Sequence, residues 1–163
     1  MSKETLGAAT QLLAKVFDCR GDQELVRESL SKSLLQPNSH NEYWVAKDKD
    51  GKVIGITGLY RADNGTERKT TVWLGWFGVD PGHRKKGIGS SLLAFTIEEA
   101  RRRKFKTLKL YTSLHQNEEA AHRLYEAHGF RKIGTFRDTE TVYYQKDLRE
   151  EEVKIMRKPM GTH

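Results

Sequence analysis

One stretch constrains this chain more than any other: residues 70–104, TTVWLGWFGVDPGHRKKGIGSSLLAFTIEEARRRK. Its first ten residues are nearly all apolar, which predicts a strand covered on both faces. Asp80, Pro81 and Gly82 then force an abrupt turn, because proline presets φ and glycine accepts positive φ. An amphipathic helix follows, from about Gly87 to Lys104. A strand that empties through a tight turn into a helix brings first-turn amides and the positive end of the macrodipole to one place. Such a junction favours an anion, most simply a phosphate. Gly87 and Gly89 remove side chains that would obstruct approach, while His83, Arg84, Lys85 and Lys86 add basic groups.

The rest of the chain must build a core around that junction. Its 163 residues suit one domain, taken as 1–150, with a charged tail over 151–163. A hydrophobic fraction of 36%, a charged fraction of 31% and a mean hydropathy of −0.74 describe a soluble globular chain. No apolar run reaches the length of a membrane span. The opening MSKETLGAATQLLAKVF reads as a helix and not as a secretory signal, so the cytoplasm is the expected compartment. Cys19 is the single cysteine, which leaves no internal disulfide and no cysteine metal cluster. A net charge of +7 admits an anionic partner or an ordinary basic surface. The run RRRKFK at 101–106 falls in the last turn of a helix, where cations complement the dipole, and reads as a solvated helix end before it reads as a nucleic-acid patch.

Periodicity orders the elements. Leu6, Ala9, Leu12, Leu13, Val16 and Phe17 recur at helical spacing, and Leu25, Val26, Ser29, Leu30 and Leu34 repeat the pattern. EYWVAKD and KVIGITGLYR flank an Asp-Gly turn and predict a hairpin. After the strand over 70–79 and its helix come the strand TLKLYT, the helix NEEAAHRLYEAH with Gly129 as its C-terminal cap, and the strands FRKIGTF and TVYYQKDL. The order ααβββαβαββ predicts a mixed sheet with helices on its faces.

Three glycine-rich devices compete for residues 82–90. The interval from Gly82 to Gly87 suits a Walker A loop, but Ile88 and Gly89 stand where the lysine and the hydroxyl belong. A dinucleotide fingerprint needs a small residue where Leu92 stands. The third device fits. Arg84-Lys85-Lys86-Gly87-Ile88-Gly89 after a strand and turn resembles the acetyl-CoA signature of the GCN5-related N-acetyltransferase (GNAT) superfamily. AAHRLYEAHGF, from Ala120 to Phe130, resembles that family's second signature, a helix carrying Leu-Tyr and ending in Gly-Phe. The resemblance covers about Glu42 to Leu148.

The resemblance implies an α/β (α+β) fold with a mostly antiparallel sheet flanked by helices, whose fourth and fifth strands splay apart. It implies acetyl-CoA as the acetyl donor. The amides from Lys85 to Ser90, hence Lys85, Lys86, Gly87, Ile88, Gly89 and Ser90, would bind the pyrophosphate, with Arg84 adding charge. Phe77 and Val79 match the backbone positions that pair with the pantetheine arm. Asn117 stands one residue from the place of the family's pantetheine-contacting asparagine, which Glu118 occupies. Tyr125 corresponds to the tyrosine that protonates the departing thiolate as general acid. The family's usual first strand is missing or very short in MSKET.

Acetyl transfer to an amine needs a base, an N–H donor and an acid. The strand over 70–79 holds no carboxylate, so a water relay is expected, with His115 and Glu42 as possible bases. His122 and His128 read as helix-surface or packing residues, and Trp73 and Trp76 as core. An aromatic beside a leucine on an apolar helical face is usually core as well, and it is the second signature that lifts Tyr125 above that reading. Two functions fit: an N-acetyltransferase acting on a primary amine in a ternary complex, or a non-catalytic acyl-CoA-binding sensor or scaffold of the same fold. No metal is implied. Polyamines, amino acids, antibiotics and protein amino groups are all open as acceptors, with highly cationic ones disfavoured by the basic surface unless the cleft is locally acidic.

Overall fold

The computed structural model describes residues 3–17, 28, 41–61, 69–83, 86–113, 119–136 and 140–149. In chain order its elements are α1 (Lys3–Phe17), β1 (Asn41–Lys47), β2 (Val53–Tyr60), β3 (Thr71–Leu74), β4 (Gly78–Val79), α2 (Ile88–Arg102), β5 (Thr107–Ser113), α3 (Glu119–Ala127), β6 (Arg131–Phe136) and β7 (Thr141–Asp147). Of the helix expected over 25–34, residue 28 alone is described, and it is helical. Helices combine with strands of which β1–β2, β2–β4, β5–β7 and β6–β7 pair antiparallel and β3–β5 parallel, the mixed and mostly antiparallel arrangement that the resemblance implies. No helix among the described residues is long and apolar enough to cross a membrane. The chain forms two compact units, Met1–Arg61 with Leu74–Thr96, and Ala62–Trp73 with Ile97–His163.

In the first unit α1 buries Leu6, Ala9, Leu12 and Leu13 against Tyr43, Val53 and Ile56. Four apolar positions on one stripe of the helix give it a packed face, and each buried leucine contributes about 1.5–3 kcal/mol. β1 and β2 form the hairpin. Its turn closes because the Asp48 carboxylate accepts hydrogen bonds from the Asp50 and Lys52 amides, both at 2.9 Å, while Gly51 takes φ +84°. The Lys52 amide is the chief reason the Asp48 carboxyl sits below the usual carboxylate range.

The apolar run over 70–79 is not one strand. It stops at Leu74 and resumes at Gly78, leaving Gly75, Trp76 and Phe77 between two short strands. The cause lies in the partners. Gly75 donates its amide to Gly58 (2.8 Å), and β4 then pairs antiparallel with β2, Val79 opposite Gly55 and Gly78 opposite Ile56. The ring of Tyr43 covers this region so closely that a Cβ on Gly58 would lie 2.3 Å from its Cδ1, and one on Gly75 would lie 3.0 Å from its Cε1. Apolar continuity in sequence therefore does not carry ladder continuity here.

In the second unit β3 runs parallel to β5, and β7 pairs antiparallel with β5 and with β6. Val72, Leu108, Leu110, Val142 and Tyr144 alternate into the core. On the other parity the Trp73 ring meets Tyr111 and Tyr143 edge to face, Tyr111 and Tyr143 tilt against each other, and Phe136 abuts Tyr143. Helices α2 and α3 end alike. After α2, Lys104 adopts φ 69°, with Lys104 and Phe105 amides bonded to the Arg101 and Ala100 carbonyls. After α3, Gly129 adopts φ 90°, with Gly129 and Phe130 amides bonded to the Glu126 and Tyr125 carbonyls. Both are Schellman caps, one built on the expected glycine and one on a lysine.

Candidate functional site

The junction after β4 is held from beneath. The Asp80 amide donates to the Ile54 carbonyl (2.8 Å), and the buried Asp80 carboxylate accepts from the Gly82 amide (3.1 Å) and lies 2.9 Å from His83 Nδ1. The His83 amide returns to the Asp80 carbonyl at 2.8 Å. These bonds wind Pro81–His83 into one turn of 3-10 helix. A Cβ on Gly82 would lie 3.2 Å from the Asp80 carboxylate, so the turn leaves little room at that position. In sequence His83 counts among the basic groups of the loop, and in the structure it engages Asp80. An aspartate with a histidine three residues on, across Pro-Gly, is the local signal for such a clamp.

Arg84 and Lys85 lie outside the described residues. Lys86 and Gly87 are exposed, and Gly87 takes φ +80°, the left-handed region that glycine enters without steric penalty. The Gly87 carbonyl accepts the Ser91 amide at 3.0 Å, which opens α2. Ile88 and Gly89 are half-buried and Ser90 is exposed. The first turn of α2 carries no acidic side chain, so its positive end is not offset from within that turn. At the far end, the arginines of the run over 101–106 engage their own helix: Arg101 with Glu98, Arg102 with Glu99 (2.7 Å) and Arg103 with Glu99 (3.5 Å). The hydrogen bond from Arg102 is the main reason the Glu99 carboxyl sits below its usual range.

The start of α2 is anchored in the first unit by a buried polar contact. Thr96 Oγ1 donates to the Leu92 carbonyl (2.7 Å) and meets Thr57 Oγ1 at 2.6 Å, with both threonines fully buried. Beside it, Gly55 admits the Leu92 side chain, since a Cβ there would lie 2.7 Å from Leu92 Cδ1. Strand β2 therefore fixes both β4, by pairing, and the first half of α2, by packing. Of the residues proposed from sequence for the pantetheine arm, Val79 lies in β4 and Phe77 in the break before it, and neither is exposed.

Tyr125 lies in the second unit, on α3, and is 5% exposed. Its ring meets Phe130 at 6.0 Å and Tyr144 at 5.9 Å between centroids. The Schellman cap at Gly129 places Phe130 against the helix, where its ring meets Tyr125. Tyr144, which sequence reasoning missed, is fully buried on β7 and reaches His122 Nδ1 at 2.9 Å. His122 thus packs as expected, through a partner 22 positions away that no local pattern announces. Asn117, Glu118 and His115 lie outside the described residues, and Glu42 is exposed on β1.

A model of the acetyltransferase (GNAT) family matches residues 6–130. Human N-acetyltransferase 8 is 33% identical over 92 residues, 56% of this chain and 39% of that protein. N-acetylaspartate synthetase of Xenopus tropicalis is 36% identical over 101 residues, 62% of this chain and 34% of that protein. The chain thus spans little more than a third of these relatives. Among solved structures, the PaiA N-acetyltransferase of Thermoplasma acidophilum in complex with coenzyme A superimposes with a TM-score of 0.70 at 20% identity. That match covers 90% of this chain and 95% of the other.

Proposed function

The chain belongs to the acetyltransferase (GNAT) family, and from that premise we propose that it moves an acetyl group from acetyl-CoA to a primary amine by direct transfer in a ternary complex. The observation that carries the proposal is the junction at Gly87. A left-handed glycine opens a 15-residue helix whose first turn holds no carboxylate, a fit for a pyrophosphate. Lys85, Lys86, Gly87, Ile88, Gly89 and Ser90 supply backbone amides to that anion, and Arg84 and Lys86 add charge. Phe77 and Val79 offer backbone groups to the pantetheine arm, and Asn117 contacts it.

Acetyl-CoA supplies an activated acyl thioester, so the chain's own residues need to orient, polarise and handle protons. Tyr125 donates its proton to the leaving thiolate, and the Phe130 ring packs against its own. With no carboxylate over 70–79, water carries the amine's proton away. The single cysteine fits a reducing compartment, and we place the protein in the cytoplasm.

Incubation with acetyl-CoA and a mixed amine library, read by mass spectrometry, tests the activity. Tyr125→Phe should leave acetyl-CoA affinity nearly intact and lower kcat by about 100-fold or somewhat less, the low end for general acid assistance to a stable thiolate. Acetyl-CoA binding without any acetylated amine would favour the acyl-CoA sensor instead. An unchanged kcat in Tyr125→Phe would return Tyr125 to the core.

A further inference from the structure

The strand behind α3 carries a device that the acid assignment does not use. Tyr144, on β7, is fully buried, and its hydroxyl stands between two residues one helical turn apart. His122 Nδ1 lies 2.9 Å from it, and the hydroxyl donates to Glu126 Oε1 over a longer 3.4 Å. The two bonds coexist when His122 carries its ring proton on Nδ1 and Tyr144 accepts it. The ring below that hydroxyl packs on Tyr125, 5.9 Å between centroids at 51°, and on His122, 5.7 Å at 73°. One side chain thus touches α3 at positions 122, 125 and 126.

A helix of nine residues has little stability of its own, and its rotation about its axis is set by what it packs on. On the cap side, the Tyr125 and Glu126 carbonyls already hold Phe130 and Gly129. On the sheet side, the Tyr144 hydroxyl bridges the two turns that flank Tyr125. Burial, with the Glu126 carboxylate alongside, pushes the Tyr144 hydroxyl above its ordinary value near 10, so it stays a neutral donor across the working pH range.

We propose that Tyr144 is a positioning residue for the acetyl-transfer step, whose hydroxyl clamps His122 and Glu126 and so fixes where the Tyr125 hydroxyl stands. The inference rests on the assignment of Tyr125 as the acid. A misplacement near 1 Å can lower a rate about 100-fold, and Tyr144→Phe keeps the ring while removing the clamp, so a loss of about tenfold in kcat is expected with the KM for acetyl-CoA unchanged.

The deciding experiment is a double-mutant cycle at saturating acetyl-CoA and amine, with thermal melting recorded for every variant. Tyr144→Phe should lower kcat about tenfold in the parent and by less than about twofold in Tyr125→Phe, since a clamp acting through the Tyr125 hydroxyl has nothing left to position once that hydroxyl is gone. His122→Ala, at a half-buried site on the helix, is the second arm and should show the same dependence. It keeps the test available if Tyr144→Phe does not fold. Equal losses in both backgrounds, or no loss in the parent, would overturn the inference and leave Tyr144 a packing residue. If Tyr125→Phe itself leaves kcat unchanged, the acid assignment fails and the inference falls with it.

Discussion

Gly87→Ala isolates what the opening glycine of α2 supplies. With φ at +80°, an alanine there carries the penalty of the left-handed region, roughly 1–2 kcal/mol. No heavy atom outside its chain neighbours lies within 4 Å of the added Cβ, so no collision enlarges the penalty. Reduced freedom of the unfolded chain offsets about 0.4–1 kcal/mol. The net loss is about 1 kcal/mol, or roughly 2–4 °C in Tm for a chain of this size. Gly51 is an internal control, because it has φ +84° and equally open surroundings in the hairpin turn. Gly51→Ala should show the same loss in melting temperature. The two variants should part in calorimetry with acetyl-CoA. Where the free Gly87→Ala backbone instead relaxes, Tm changes little and the strain is met on binding, because the amides must regain the left-handed conformation to converge on the pyrophosphate, which weakens binding about 5- to 30-fold for 1–2 kcal/mol. Gly51→Ala should bind like the parent. Unchanged affinity together with an unchanged Tm in Gly87→Ala, or an equal loss of affinity in both variants, would refute the reasoning that the left-handed conformation at 87 shapes the anion site.

Two further outcomes follow from the same geometry. Lys104→Gly should raise Tm by about 1–2 °C, because relief of the left-handed lysine at the cap of α2 slightly exceeds what is lost in helix-dipole attraction and unfolded-chain entropy; a lower melting temperature would show that the lysine's own contacts outweigh the strain. Tyr144, raised above its ordinary value near 10, keeps its proton in the folded chain where the unfolded chain loses it, so its stabilising contribution is complete below about pH 10 and is lost as pH rises through the folded value. Melting curves between about pH 9 and 11 should therefore fall less steeply for Tyr144→Phe than for the parent, and parallel curves would contradict the assignment.

What the sequence disclosed was what neighbouring residues decide. The Asp-Gly turn at 50–51, the helix after the glycine at 87 and the glycine cap at 129 all follow from local backbone preference, and each is present. The break at Gly75 did not show, because an unbroken apolar run looks the same whether or not its ladder is continuous, and the break depends on the pairing of β2 and the ring of Tyr43. Lys104 was hidden because lysine argues against the conformation it adopts. The bond between His122 and Tyr144 was illegible because it joins a helix to a distant strand, and chain periodicity carries no information about such a meeting. In the candidate site the glycines were readable, while the Asp80 clamp beneath them emerges only in the folded chain.

The ring of Tyr43, resting on Gly58 and Gly75, also limits how this sequence can drift. Three positions in separate strands and turns behave as a single heritable character. A side chain gained at 58 meets the ring at once, and a small residue at 43 leaves a void beside two glycines that cannot fill it. Passage to another well-packed state requires a joint exchange, bulk moving from position 43 to position 58, with an unfavourable single step on either route. Descendants of this chain should therefore keep all three residues or replace them together, and a variant library randomised at the three sites should recover folded members as correlated sets, not as independent substitutions.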